Sequence, residues 1–299
     1  MRPLVALLLL QVALAGVLVA LVATDSVPFV DADGGGASVA GTPRPAVDRF
    51  DSRAAFRFLR AQVALGPRPA GSAASRVLGR RIRRMLPRGR FQAVPGGLRN
   101  VIGVVRGRRP QRLVVVGAHY DTKDLPGFLG ANDGASGSAV VVQLARSLRP
   151  RRLRPTVVFA LFDGEESPAG APEGDFERTG LRGSRVAARR YRRAEAMVLL
   201  DFVGDKDLRI PRESFSDARL WSKLRRAAHR VAVGGVFPAE TQSSILDDHV
   251  PFLHAGVPAI DLIDFEFPCF HRPCDDLSAV SERSLDAVGE AVLELLRGL

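Results

Sequence analysis

Residues 114–133 read VVVGAHYDTKDLPGFLGAND, a short β-branched run closed by glycine and followed at once by polar chemistry. Val114, Val115 and Val116 have the pattern of a buried strand. His119, Tyr120 and Asp121 come directly after it, and Asn132 and Asp133 close a loop rich in Gly and Pro. An imidazole and carboxylates just past the carboxyl end of a buried strand lie where open α/β sheets hold their ligands. His119 and Asp133, joined by a flexible loop, can converge on a borderline cation such as zinc.

The same arrangement recurs downstream. Residues 156–162 (TVVFALF) form a buried strand that delivers Asp163, Gly164, Glu165 and Glu166. Residues 196–200 make a strand that ends in Asp201, and residues 259–263 make one that leads into a loop carrying His271. Helical spacing separates them at 135–148, 183–191 and 217–231, and Ser281 caps a last amphipathic helix running to Leu299. Upstream, 48–65 and a segment ending near Leu86 are helical, while 100–105 and 113–117 read as a hairpin joined by a basic turn. Strands alternating with helices predict the α/β class: a three-layer α/β/α sandwich around a mixed, mostly parallel sheet, with the hairpin as its antiparallel part.

The 299 residues suffice for one large domain or two smaller ones. Residues 3–23 are almost wholly apolar behind Arg2, the pattern of a signal peptide or a signal-anchor helix over residues 1–24. Residues 25–47, rich in Gly, Ala, Ser, Pro and Thr, read as a disordered linker, which leaves 48–299 as the catalytic domain. The expected location is extracytoplasmic, secreted or anchored to the membrane. Cys269 and Cys274, the only two cysteines, would form a disulfide there. The formal net charge of +11 comes from 40 Arg and 3 Lys. Its runs at 80–84, 149–154 and 189–193 contain few aromatics and no nucleic-acid-binding motif, so they read as solvated faces with no nucleic acid as partner.

Ends of parallel strands share one sheet edge, so His119, Asp133, Glu165, Glu166, Asp201 and His271 can meet there. Two imidazoles and several carboxylates can hold one or two zinc ions. Glu165 and Glu166 point different ways on an extended segment, so one can bind metal while the other carries a proton. Each residue alone has a plainer role, as a helix cap, a core histidine or a surface acid. Their recurrence at successive strand ends favours a metal site. His229 and His254 read as helix-surface residues, and His249 as a partner of the acids beside it or a structural group.

Eight segments carry a resemblance to a known family: GPRPAGS (66–72), NVIGVV (100–105), GAHYDTK (117–123), GANDGASGSA (130–139), FDGEES (162–167), LLDFVG (199–204), DDHVPFLHAGVP (247–258) and FHRPCDD (270–276). The chain resembles the zinc exopeptidases of clan MH, in the family that joins bacterial aminopeptidases with glutaminyl cyclases, over nearly all of 48–299. The resemblance implies that His119, Asp133, Glu166, Asp201 and His271 occupy metal-ligand positions and that Glu165 is the general acid/base. It also implies a fork. In dizinc aminopeptidases Asp133 would bridge two ions, with His119 and Asp201 on one and Glu166 and His271 on the other. In glutaminyl cyclases one zinc would be held by Asp133, Glu166 and His271, with Asp201 and Asp247 as a catalytic proton network. The doubled acid at Asp247-Asp248 favours the cyclase, acting on peptide or protein N-termini, with Phe270 and Phe252 as an apolar substrate wall. An Asn-Asp-Gly-Ala-Ser-Gly stretch after the first metal loop is peptidase-like, and Phe270 stands where animal cyclases carry tryptophan. The remaining alternatives are a zinc aminopeptidase and, in another class, an envelope binding protein that has lost catalysis.

Overall fold

Along β3 (Arg109–His119) Val114, Val116 and Ala118 join one core layer while Val115 joins the other. That two-residue alternation is what a strand covered on both faces requires. β4 (Pro155–Phe162) repeats it, with Val157, Phe159 and Leu161 on one side and Val158, Ala160 and Phe162 on the other. A computed structural model describes residues 41–299 in these terms. The leader expected at 1–24 and most of the linker expected at 25–47 lie outside the described residues. Residues 41–47 form neither helix nor strand, yet Thr42 is buried and its hydroxyl donates to the Lys206 carbonyl at 3.1 Å. The Ala46 amide donates to the Val231 carbonyl at 3.0 Å. The packed body therefore reaches back to Thr42, short of the boundary expected at 48.

With β1 (Arg90–Val94), β2 (Leu98–Val105), β5 (Ala196–Asp201) and β6 (Ala259–Ile263), the main sheet has the order β1-β2-β4-β3-β5-β6. β4, β3, β5 and β6 run parallel, while β1 and β2 are antiparallel to their neighbours. The expected α/β/α sandwich with a mixed, mostly parallel sheet is what forms. One face is covered by α1 (Ser52–Val63), α2 (Ala73–Met85), α3 (Ala135–Ser147), α5 (Ala218–Arg230) and α7 (Glu282–Gly298). The other is covered by α4 (Arg182–Arg190) and the short α6 (Val250–His254). Asp51, Ser72, Asp217 and Ser281 cap α1, α2, α5 and α7 through side-chain oxygens that accept first-turn amides. The basic runs at 80–84, 149–154 and 189–193 put their arginines in solvent.

The hairpin expected from 100–105 and 113–117 does not form: β4 lies between β2 and β3. The chain crosses the start of β4 at Gly107, where a Cβ would stand 2.0 Å from the Pro155 carbonyl oxygen. Only glycine permits that crossing. The sheet order brings the carboxyl ends of β3, β4, β5 and β6 to one edge. Close approach of α3 to that edge depends on Gly137, whose Cβ would meet the Leu200 carbonyl oxygen at 2.1 Å.

Candidate metal centre

β3 ends at His119, which is 1% exposed. Its Nδ1 lies 3.1 Å from the Asp121 carbonyl, and its Nε2 lies 3.2 Å from Asp133 Oδ1 and 3.2 Å from Asp201 Oδ1. Asp201 is the last residue of β5, so two adjacent parallel strands present this pair. Asp133 turns its other oxygen, Oδ2, toward His271 Nε2 at 3.4 Å. His271 Nε2 is also 3.6 Å from Glu166 Oε1. Asp133 thus joins two groups, His119–Asp133–Asp201 and Asp133–Glu166–His271, within each of which the ligand atoms lie no more than 4.8 Å apart.

Such spacing suits a cation. Ligand atoms each ~2.1 Å from a tetrahedral zinc stand ~3.4 Å from one another, close to the separations seen here. Oδ2 of Asp133 is buried with no hydrogen-bond partner among the described residues, a group that burial penalises unless an ion or proton meets it. The donors, imidazole nitrogen and carboxylate oxygen, are those zinc accepts.

Three buried groups position the centre, in roles that no spacing in the chain signals. Asp121 accepts the amides of Gly164 (3.0 Å), Glu165 (3.4 Å) and Glu166 (3.3 Å), tying the loop after β4 to the end of β3. Asp275 accepts the amides of Asn132 (2.6 Å) and Asp133 (3.0 Å). Arg68, wholly buried, donates to the carbonyls of Gly66, Leu129 and Gly130 and so pins the loop that precedes Asp133. Burial pulls its guanidinium down to about 10, against the pull of nearby Asp133 and Asp275. GPRPAGS marked that segment in the sequence, but a turn-forming reading of it conceals an internal crosslink.

Electrostatics separate the carboxylates by environment. Burial, reinforced by Glu166, holds the Glu165 carboxyl well above the usual range. Burial raises Asp201 to about 7 even though His119 pulls the other way. Burial works against a charged Asp133, yet the His119 and His271 imidazoles beside it hold its carboxyl well below the usual range. Burial works against a charged His119, yet Asp201 and Asp133 raise it well above ordinary histidine. Lys123 Nζ lies 3.1 Å from Glu166 Oε2, on the side away from His271.

A cavity of 640 Å³ opens over these groups, with Glu165, Glu166, Asp201, Asp247 and His271 in its walls. Phe270 lines it, beside Phe202, Ile245, Ile263 and the half-exposed Phe265. Phe252 does not line it. Helix α6 turns this side chain into the sheet face, where it is wholly buried and packs on Phe162 with ring centroids 6.2 Å apart. Asp247 is 3% exposed and reaches the cavity wall, whereas Asp248 next to it is buried away from the lining. His249 is enclosed between Glu213 (3.2 Å) and Asp261 (3.6 Å), so its role is internal. His229 and His254 are exposed. Cys269 and Cys274 are joined in a disulfide that brackets His271.

The sequence pattern of peptidase family M28 matches residues 100–296. The chain is 31% identical over 214 residues to the glutaminyl-peptide cyclotransferase of Drosophila melanogaster, covering 59% of this chain and 58% of that one. It is 28% identical over 211 residues to aminopeptidase YwaD of Bacillus subtilis, covering 64% of this chain and 43% of that one. The match thus spans about half the length of these curated relatives. Among solved structures, Porphyromonas gingivalis glutaminyl cyclase superposes with a TM-score of 0.74 at 29% identity, covering 84% of this chain and 99% of that one. A leucine aminopeptidase precursor from Bacteroides thetaiotaomicron superposes with a TM-score of 0.75 at 26% identity, covering 85% and 99%.

Proposed function

The chain belongs to peptidase family M28 and is an enzyme, and from that premise we propose that it is a zinc-dependent glutaminyl-peptide cyclotransferase. It would close the N-terminal glutamine of peptides to pyroglutamate with release of ammonia. The observation that carries this reading is Asp247, a buried carboxylate in the cavity wall with Glu165 and Asp201. Hydrolysis of a peptide bond needs one base beside the metal ligands, and Glu165 suffices. Cyclisation asks more of the cavity, because the substrate's own α-amine must be gripped, deprotonated and aimed at its γ-carbon while water is kept out.

Asp133, Glu166 and His271 would hold the ion, and zinc when bound supplies Lewis-acid polarisation of the γ-carbonyl. Glu165, kept largely protonation-competent by burial, takes a proton from the α-amine as it attacks and returns one to departing ammonia. Asp201 and Asp247 orient the amine through charge and hydrogen bonding. Phe202, Phe265 and Phe270 exclude water. A single ion suits the charges present: Lys123 already offsets Glu166, and His119 with Asp201 forms its own hydrogen bond at 3.2 Å. The disulfide and the apolar residues 3–23 support a location outside the cytoplasm.

An aminopeptidase is the second reading, favoured by the ligand spacing of His119, Asp133 and Asp201, which would suit another ion. Glu165 would then deprotonate water for attack on the first peptide bond. Two peptides separate the readings, one beginning with glutamine and one with leucine, followed by mass spectrometry. The cyclase predicts loss of ammonia from the first and no change in the second. Release of free leucine overturns it.

A further inference from the structure

We propose that the Cys269–Cys274 disulfide is a positioning crosslink for the metal centre: it fixes His271 and, through Asp275, the cradle of Asp133. The inference rests on the reading of Asp133, Glu166 and His271 as zinc ligands.

His271 is the least embedded of those ligands, with its side chain 26% exposed against 2% for Asp133 and 4% for Glu166. It sits between β6 and α7 in a segment of turns with no helix or strand of its own. Its backbone lies at φ +51°, a left-handed conformation uncommon for residues with a Cβ, though histidine is among those that reach it more often. Sequence-local hydrogen bonds offer some constraint, from the Arg272 amide to the Cys269 carbonyl (3.0 Å) and from the Asp276 amide to the Cys274 carbonyl (2.8 Å). The disulfide closes a ring over residues 269–274 that contains His271 and the first of these bonds, and the second lies just past its end. Phe270, inside the same ring, stacks on the His271 imidazole at 3.8 Å.

Asp275 follows Cys274 directly and accepts the amides of Asn132 and Asp133. Its own amide donates to the Arg272 carbonyl at 3.0 Å, and its carbonyl accepts the Ala131 amide at 3.2 Å. One crosslinked turn therefore supplies a ligand and also holds the backbone of the shared ligand opposite it. A disulfide restrains the unfolded chain more as its loop lengthens, and this one spans a sequence separation of only 5. Its effect is concentrated on local geometry. Cys274 is exposed, so a reductant reaches the bond.

The test is zinc affinity of the full chain, measured by chelator competition, in oxidised, phosphine-reduced and Cys269→Ser/Cys274→Ser forms. The phosphine becomes phosphine oxide, taking oxygen from water, as the S–S bond yields two thiols. The serine variant controls for any zinc bound by those thiols. Groups that orient ligands typically tune affinity 10- to 100-fold, so a loss of at least about 10-fold is expected in both altered forms, with reoxidation restoring the reduced one. Metal-free melting and circular dichroism should change little. An affinity within about 2-fold of the oxidised protein overturns the proposal. So does loss of the native fold in both altered forms, since the bond would then hold the whole domain. His271→Ala separates the two levels of inference. If it weakens zinc while reduction does not, the ligand reading stands and the crosslink proposal falls. If it leaves zinc unaffected, the ligand reading falls and takes the proposal with it.

Discussion

His119 and Asp201 stand on the ends of adjacent parallel strands, whereas Glu166 and His271 hang from loops, and Asp133 belongs to both pairs. The inner pair is almost sealed, with only Asp201 reaching the cavity wall, and its members already satisfy each other at 3.2 Å. The outer pair borders the cavity, meets Lys123 on one side and depends on a disulfide-closed turn on the other. A cation that must touch substrate needs the open side. Strand ends, fixed by the ladder of backbone hydrogen bonds, suit a hydrogen-bonded network that only has to stay in place. The difference is in line with the proposal of one ion held by the outer pair and a proton network in the inner one.

Replacing His271 with Ala should have the largest effect. Zinc content should collapse and turnover fall on the order of 10³-fold, the scale of losing electrostatic stabilisation of a developing oxyanion. His119→Gln should act on the inner pair alone, with zinc retained and turnover reduced about 10-fold, as for groups that orient ligands without holding the ion. Metal analysis of the two purified variants decides; equal zinc loss in both would favour a two-ion centre. The smallest effect lies in pH. In metal-free protein His119 is raised well above its ordinary value, with the Asp201 and Asp133 charges outweighing burial. Its contribution to stability is complete below the unfolded value of ~6.5 and disappears as pH rises through the higher folded value. Melting of metal-free wild type should therefore fall more steeply above neutrality than that of His119→Gln, by about 2–4 °C for each kcal/mol involved.

Much of this was legible in the chain. Val114–Val116 and the TVVFALF strand announce a buried sheet because they are apolar on both faces, and each is followed by the acids or imidazole that its carboxyl end presents. Spacing could not show that β4 lies between β2 and β3, because the cue is the missing Cβ of Gly107 at a crossing made only in three dimensions. The short β1 also escaped, its mixed pattern RFQAV carrying no alternation to speak of. Phe252 follows Asp247 closely in the chain, yet the turn of α6 sends its side chain into the sheet face, and no spacing in the sequence signals that. Arg68 and Asp275 act by gripping backbone atoms of distant loops, and a residue type alone carries no sign of such a partner.

Zinc titrated into metal-free protein while ammonia release from a glutamine peptide is followed would distinguish a one-ion cyclase from a two-ion peptidase. Activity that rises linearly and levels off at one zinc per chain is the predicted result. A rise that continues to two, or free N-terminal amino acid in place of ammonia, would contradict it.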